Sequence, residues 1–238
     1  MMTVISFCLL SAGLLQRGIQ AGHWPLTNRY EVALCVGCLI LGIYLLLETS
    51  WHERRAGGVV ILFSLMALSY ALTRSQSEQL ITPLLPVLRS IWLQLHVLTT
   101  LIGYAAFAVA AGLALARLIQ RTSEEGQEQG WLPSVVDSER AMERVVALGF
   151  PWLSLGILTG AIWAQKAWGR YWGWDPKEIW TLITWLWYLM ILHVRTLRNW
   201  RGRRLAGLIV AGCAVIIFTF IGVPWLVRTV RLESLHGF

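Results

Sequence analysis

The chain has 238 residues, enough for one domain of moderate size, and it is 56% hydrophobic but only 14% charged, against about 25% charged in ordinary soluble domains. That balance excludes a soluble globular fold, whose surface could not hide so much apolar area. The net charge of +7 first suggests nucleic acid, but the bases sit mainly in short loops between apolar runs. Membrane topology accounts for them better, and no nucleic-acid partner is expected.

A helix needs about 20 mostly apolar residues to cross roughly 30 Å of hydrocarbon. Seven runs come near that: residues 1–15, 30–47, 57–72, 91–118, 145–164, 179–194 and 205–227. Backbone groups in lipid must be satisfied within their own segment, so these runs are expected to be helices. The expected fold is an all-α polytopic transmembrane bundle of about seven spans, with residues 1–238 forming one integral membrane domain. The first run lacks a basic leader and a small-residue cleavage site, so it is expected to stay as a helix.

The second run carries Cys35 and Cys38 on one helix face. No histidine follows them, so they are not a haem-attachment CxxCH, and small buried thiols are the expectation. In the fourth run Gly103, Ala106, Ala110 and Gly112 give small faces for close helix packing. The polar stretch 121–130 reads as a linker. The loop between the sixth and seventh runs holds Arg195, Arg198, Arg201, Arg203 and Arg204. The positive-inside rule places it in the cytoplasm. Counting back sets the N-terminus inside and the C-terminus outside.

This topology sorts the five histidines. His23, His96 and His236 fall toward the outer face, while His52 lies in an inner loop. His193 lies near the inner end of the sixth run, about 27 Å from Asp175 at 1.5 Å per helical residue. Imidazole is a common axial ligand of haem iron.

Half of the 14 tryptophans crowd between Trp163 and Trp187. An aromatic belt explains one or two tryptophans per helix end, not Trp168, Tyr171, Trp172 and Trp174 within one short segment with glycines. Flat indoles suit a flat aromatic ligand, and Gly169 lets one approach the backbone. Lys166, Arg170 and Lys177 suit its carboxylates. Asp175, Pro176 and Glu178 match the N-cap, N1 and N3 of a capping box that starts the sixth helix.

The stretch WGRYWGWD, residues 168–175, resembles the WWD signature of haem-handling membrane proteins of cytochrome c biogenesis. The continuation PKEIWTLITWLWYLMILHVR resembles the CcsA type, also called ResC, of system II. So do GHWPLTNRYE around His23, SIWLQLHVLTTLIGYAAF around His96 and the tail LHGF around His236. The sister CcmC type shares the tryptophan signature but continues differently.

The resemblance implies that the tryptophan-rich outer segment, residues 163–178, holds haem, with Trp168, Gly169, Trp172, Trp174 and Asp175 at the site. It implies that His96 and His236 are the axial ligands of its iron, and that His193 belongs to an inner haem site completed by a CcsB/ResB-type partner. Haem b, bound transiently, would then be attached to apocytochrome c by a cytochrome c synthase complex. The location implied is a bacterial inner membrane, or a thylakoid membrane in a photosynthetic source. A CcmC-like factor that passes haem to a separate carrier is the alternative. An electron-transfer cytochrome b would place paired histidines within the membrane, where only His193 lies.

Overall fold

The computed structural model describes residues 2–51, 57–82, 84, 86–119 and 135–230. Among the described residues all seven apolar runs are helical, and no strand occurs. Helix α1 spans Met2–Ala21, α2 Arg29–Trp51, α3 Gly57–Leu72 and the short α4 Gln76–Gln79; a 3-10 turn follows at Pro86–Arg89. Helix α5 spans Ile91–Ile119, α6 Val135–Trp168, α7 Pro176–Leu197 and α8 Gly202–Ile217. A π-helical turn, Phe218–Gly222, joins α8 to α9, Val223–Val230.

Five stretches are long and apolar enough to cross a membrane: Met2–Ala21, Arg29–Thr49, Ile91–Ile119, Glu139–Trp168 and Gly202–Thr229. Helix α3 is apolar but shorter. Helix α7 has the length, but its tryptophans and threonines make it less hydropathic than the five. The first helix is longer than the run 1–15 expected from sequence, because Gln16, Arg17 and Gln20 are carried on its surface without ending it. The protein is an all-helical integral membrane protein.

Helix α5 is the centre of the bundle. Ala105, Ala106, Phe107, Val109, Ala110 and Ala111 are fully buried on it. Small residues let neighbouring backbones come close, which is how helices pack where lipid supplies no hydrophobic drive. A Cβ on Gly103 would lie 3.0 Å from the Leu153 backbone nitrogen of α6, and one on Gly112 would lie 3.0 Å from a Val60 methyl of α3. Phe107 stacks on Tyr188 of α7 with ring centroids 3.5 Å apart and planes 8° from parallel.

Two tryptophans of α7 spend their N–H groups on packing. Trp185 Nε1 donates to Ser154 Oγ of α6 at 2.9 Å, and Trp187 Nε1 donates to the Leu208 carbonyl of α8 at 3.0 Å. Buried indole N–H groups need such partners.

Polar contacts clamp both ends. At one end Arg117 pairs with Glu139 at 3.0 Å, Arg195 with Glu143 at 2.7 Å, and Arg203 donates to the Leu118 carbonyl at 2.7 Å. These tie together α5, α6, α7 and α8 beside the arginine-rich loop. At the other end Arg17 of α1 pairs with the buried Glu31 of α2 at 2.8 Å and donates to the Gln79 carbonyl at 2.8 Å. The same carboxylate accepts from Thr27, through its N–H at 3.0 Å and its hydroxyl at 2.8 Å.

Candidate functional site

The site is built at the end of the bundle where α5 and α7 begin and α6 stops. The expected tryptophan-rich segment 163–178 is only partly a loop. Trp163 to Trp168 complete α6 and Pro176 opens α7, so residues 169–175 form the connection. Gly169 ends α6 with φ +75°, the left-handed conformation glycine adopts most easily at a helix C-terminus.

The start of α7 is the expected capping box. The Asp175 carboxylate accepts from the Lys177 N–H at 2.9 Å. The Glu178 carboxylate reaches back to the N–H groups of Gly173 at 2.8 Å and Asp175 at 3.2 Å. Between them Trp174 is held at φ 57°, a conformation costing a bulky residue about 1–3 kcal/mol unless its surroundings enforce it. The Glu178 carboxylate, bonded on both sides of Trp174, is that enforcement. Asp175 is buried and serves as the cap of the helix start.

A cleft of about 180 Å³ opens beneath this connection. His96, Trp163, Tyr171, Trp172, Lys177 and Thr181 line it, and Thr219 and Phe220 of the π turn close its far side. The turn forms where Pro224 cannot continue the regular ladder: the Val223 N–H bonds to the Phe218 carbonyl instead. Such π turns occur often at functional sites.

His96 is fixed by α6. Its Nδ1 lies 2.7 Å from the Gly156 carbonyl oxygen. A carbonyl only accepts, so Nδ1 carries the proton, and in the neutral ring the lone pair is on Nε2. The ring rests against Gly160, where a Cβ would lie 2.5 Å from Nδ1. Metal-ligating histidines commonly have this arrangement, one nitrogen donating to a carbonyl and the other left basic.

The structure therefore brings His96 and Trp172 to one cleft. Trp174 meets Trp172 edge-on, with centroids 5.9 Å apart, and stands 68% exposed. Trp168 meets Trp163 edge-on at 4.8 Å. Of the three basic residues, Lys177 lines the cleft, the Arg170 guanidinium folds over Gly173, and Lys166 lies 5.4 Å above the Trp92 ring. Burial pushes the Lys177 ammonium below the usual lysine range, Arg29 adds to this and Asp175 opposes it.

His193 is not part of this cleft. It is exposed on α7, on the same face as the exposed Leu186, Met190 and Leu197. His236 and His52 lie outside the described residues. His23 lines a separate cleft with Arg89 and Gln94, and its Nδ1 lies 3.0 Å from the Trp24 carbonyl. Cys35 and Cys38 are buried free thiols. The Cys35 Sγ donates to the Pro25 carbonyl and the Cys38 Sγ meets the Ser11 hydroxyl, each at 3.3 Å.

Sequence reasoning took Trp163 only as the start of the tryptophan segment and passed over Gly156 and Gly160. The spacing of Gly156 and Gly160, small residues four apart in an apolar run, was the available signal for a close contact on that face.

The donor set suits one side of a haem: an imidazole whose Nδ1 is held by a carbonyl, indole walls, and a cation for a propionate. The enclosed volume is below the roughly 300–1,000 Å³ of a pocket that swallows its ligand. It admits the edge of a large planar molecule, and the exposed Tyr171 and Trp174 extend the aromatic surface beyond it.

An all-helical membrane bundle with a histidine set under a tryptophan-rich connection defines the class. Residues 26–231 match the model of the cytochrome C assembly protein family. CcsA cytochrome c biogenesis proteins are similar along most of the chain. The one from Chlamydomonas reinhardtii is 36% identical over 92% of this chain and 63% of its own length. Those from Synechococcus sp. (strain CC9902) and Trieres chinensis are 34% and 32% identical, each over 94% of this chain and 82% of the relative. This chain thus spans less than two thirds of the algal relative and about four fifths of the other two. The chain belongs to the cytochrome c assembly protein family, as a member of its CcsA type.

Proposed function

We propose that this protein presents haem for covalent attachment to apocytochrome c. In this reading haem b is cargo, held transiently with His96 Nε2 on the iron. The observation that carries it is the 2.7 Å contact of His96 Nδ1 with the Gly156 carbonyl in a cleft walled by Trp163 and Trp172. His236 is the second ligand implied by the family resemblance. The last described helix, α9, leads toward the cleft end of the bundle, because Thr219 and Phe220 just before it already line the cleft.

Haem supplies the vinyl groups that the apocytochrome thiols attack. The protein's share is position: holding the iron fixes the macrocycle so that an intermolecular reaction becomes a local one. The cleft end faces outward and the arginine-rich end inward, in a bacterial inner membrane or a thylakoid membrane.

A CcsB/ResB-type membrane protein is the partner in this reading. The placement of His193 on an exposed apolar face of α7 supports it, since a ligand there needs a second helix to complete an inner haem site. The CcsA names of the relatives favour attachment over CcmC-like delivery to a separate carrier.

The test is co-expression with a CcsB-type partner and a reporter apocytochrome carrying CxxCH. Covalent haem on the reporter should be lost in His96→Ala at unchanged membrane protein level. Full attachment in that variant would overturn the proposal.

A further inference from the structure

At the end of the bundle opposite His96, helices α6, α7 and α8 leave a second cleft of about 400 Å³. Its rim is basic. Arg140 and Arg144 lie one turn apart on α6, and Arg195 faces them from α7. Among the described residues the one acid on the rim is Glu143, which Arg195 engages at 2.7 Å. Arg140 is exposed and makes no ion pair among the described residues. Among the described residues of the rim, arginines outnumber acids three to one.

The floor of the same cleft is apolar, formed by the buried Ile191, Leu205 and Ile209. Arg140 and Arg144 stand immediately before the apolar run 145–164, at the depth where lipid headgroups meet hydrocarbon. Charge and apolar surface thus lie within one or two helical turns of each other.

We propose that this cleft binds an anionic phospholipid, its phosphate held by Arg140, Arg144 and Arg195 and an acyl chain laid on the apolar floor. Basic clefts between membrane helices are suited to acidic headgroups, and guanidinium groups to phosphate oxygens. A soluble phosphate would use the rim and leave the floor to water; the amphiphile uses both. Neither His96 nor the tryptophan connection takes part, so the proposal stands apart from haem presentation.

The test is native mass spectrometry of the full-length protein released from bilayer discs of mixed phosphatidylglycerol and phosphatidylcholine. Retained phosphatidylglycerol should exceed phosphatidylcholine. It should fall roughly thirtyfold in affinity when two basic contacts are lost in Arg140→Gln with Arg144→Gln. Arg140→Lys with Arg144→Lys should keep most of it, which separates charge from misfolding. Arg198→Gln with Arg204→Gln, the same charge change off the cleft, should leave it unchanged. Excess inorganic phosphate should not displace the lipid. Equal loss in both glutamine pairs, or displacement by inorganic phosphate, would each overturn the proposal.

Discussion

The imidazole of His96 on α5 is held from α6 by the Gly156 carbonyl, 2.7 Å from its Nδ1, and Gly160 leaves the room for the ring. A methyl group at residue 160 would lie 2.5 Å from Nδ1 and 2.8 Å from Cε1. Gly160→Ala must therefore turn the imidazole or separate the helices. Loss of an outer partner of a metal ligand costs about 10–100-fold in affinity. Haem bound per purified protein is expected to fall by about tenfold or more in Gly160→Ala. Gly207→Ala, where no atom lies within 4 Å, is expected to retain the wild-type amount.

Trp172 and Trp174 are neighbours in sequence pattern but not in environment. Trp172 lines the cleft, while Trp174 is 68% exposed. Trp172→Ala is therefore expected to lower haem retention more than Trp174→Ala, and Trp172→Phe to keep part of it through the remaining flat ring. Haem-to-protein absorbance ratios after purification check the order. Equal losses at both positions would contradict it.

Glu178 holds the connection more than its sequence position suggests, because it accepts from both Gly173 and Asp175. Removing the Asp175 cap by alanine is expected to cost about 1 kcal/mol. Glu178→Ala is expected to cost a similar amount and to release Trp174 from its left-handed conformation. Protease cleavage within residues 169–175 should quicken in Glu178→Ala and much less in Glu178→Gln, which still offers an oxygen to the two N–H groups.

The Arg17–Glu31 pair fastens the edge helix α1, which has no buried residue of its own, to the bundle. Glu31 is 1% exposed, so Arg17→Ala leaves a buried carboxylate without its cation, at a cost of about 3–5 kcal/mol. Thermal unfolding in detergent should shift strongly in Arg17→Ala. It should shift far less in Arg228→Ala, an arginine with no ion pair among the described residues.

The helices were legible because length and apolarity decide what can cross a bilayer, and every expected run is helical. The start of α7 was legible to the residue, since Asp175, Pro176 and Glu178 are a local code read within one turn. The boundary of the tryptophan segment was not. Trp163 and Trp168 continue α6 by helical packing that no loop-like composition betrays. The seat of His96 was also hidden, because Gly156 and Gly160 lie 60 and 64 residues away in sequence and act through absent side chains. His193 lies near the C-terminal end of α7, yet its exposure depends on which face of α7 meets α5, and that is set by Tyr188 stacking on Phe107. His236 lies outside the described residues, so its place as second ligand rests on the resemblance.

The most direct test of haem ligation is the spectrum of haem carried by the purified protein. Wild type is expected to give the low-spin spectrum of two nitrogen ligands. His96→Gly is expected to lose it and to regain it when free imidazole is added to fill the vacated seat against Gly156. A low-spin spectrum that persists in His96→Gly without imidazole would show that the iron is held elsewhere.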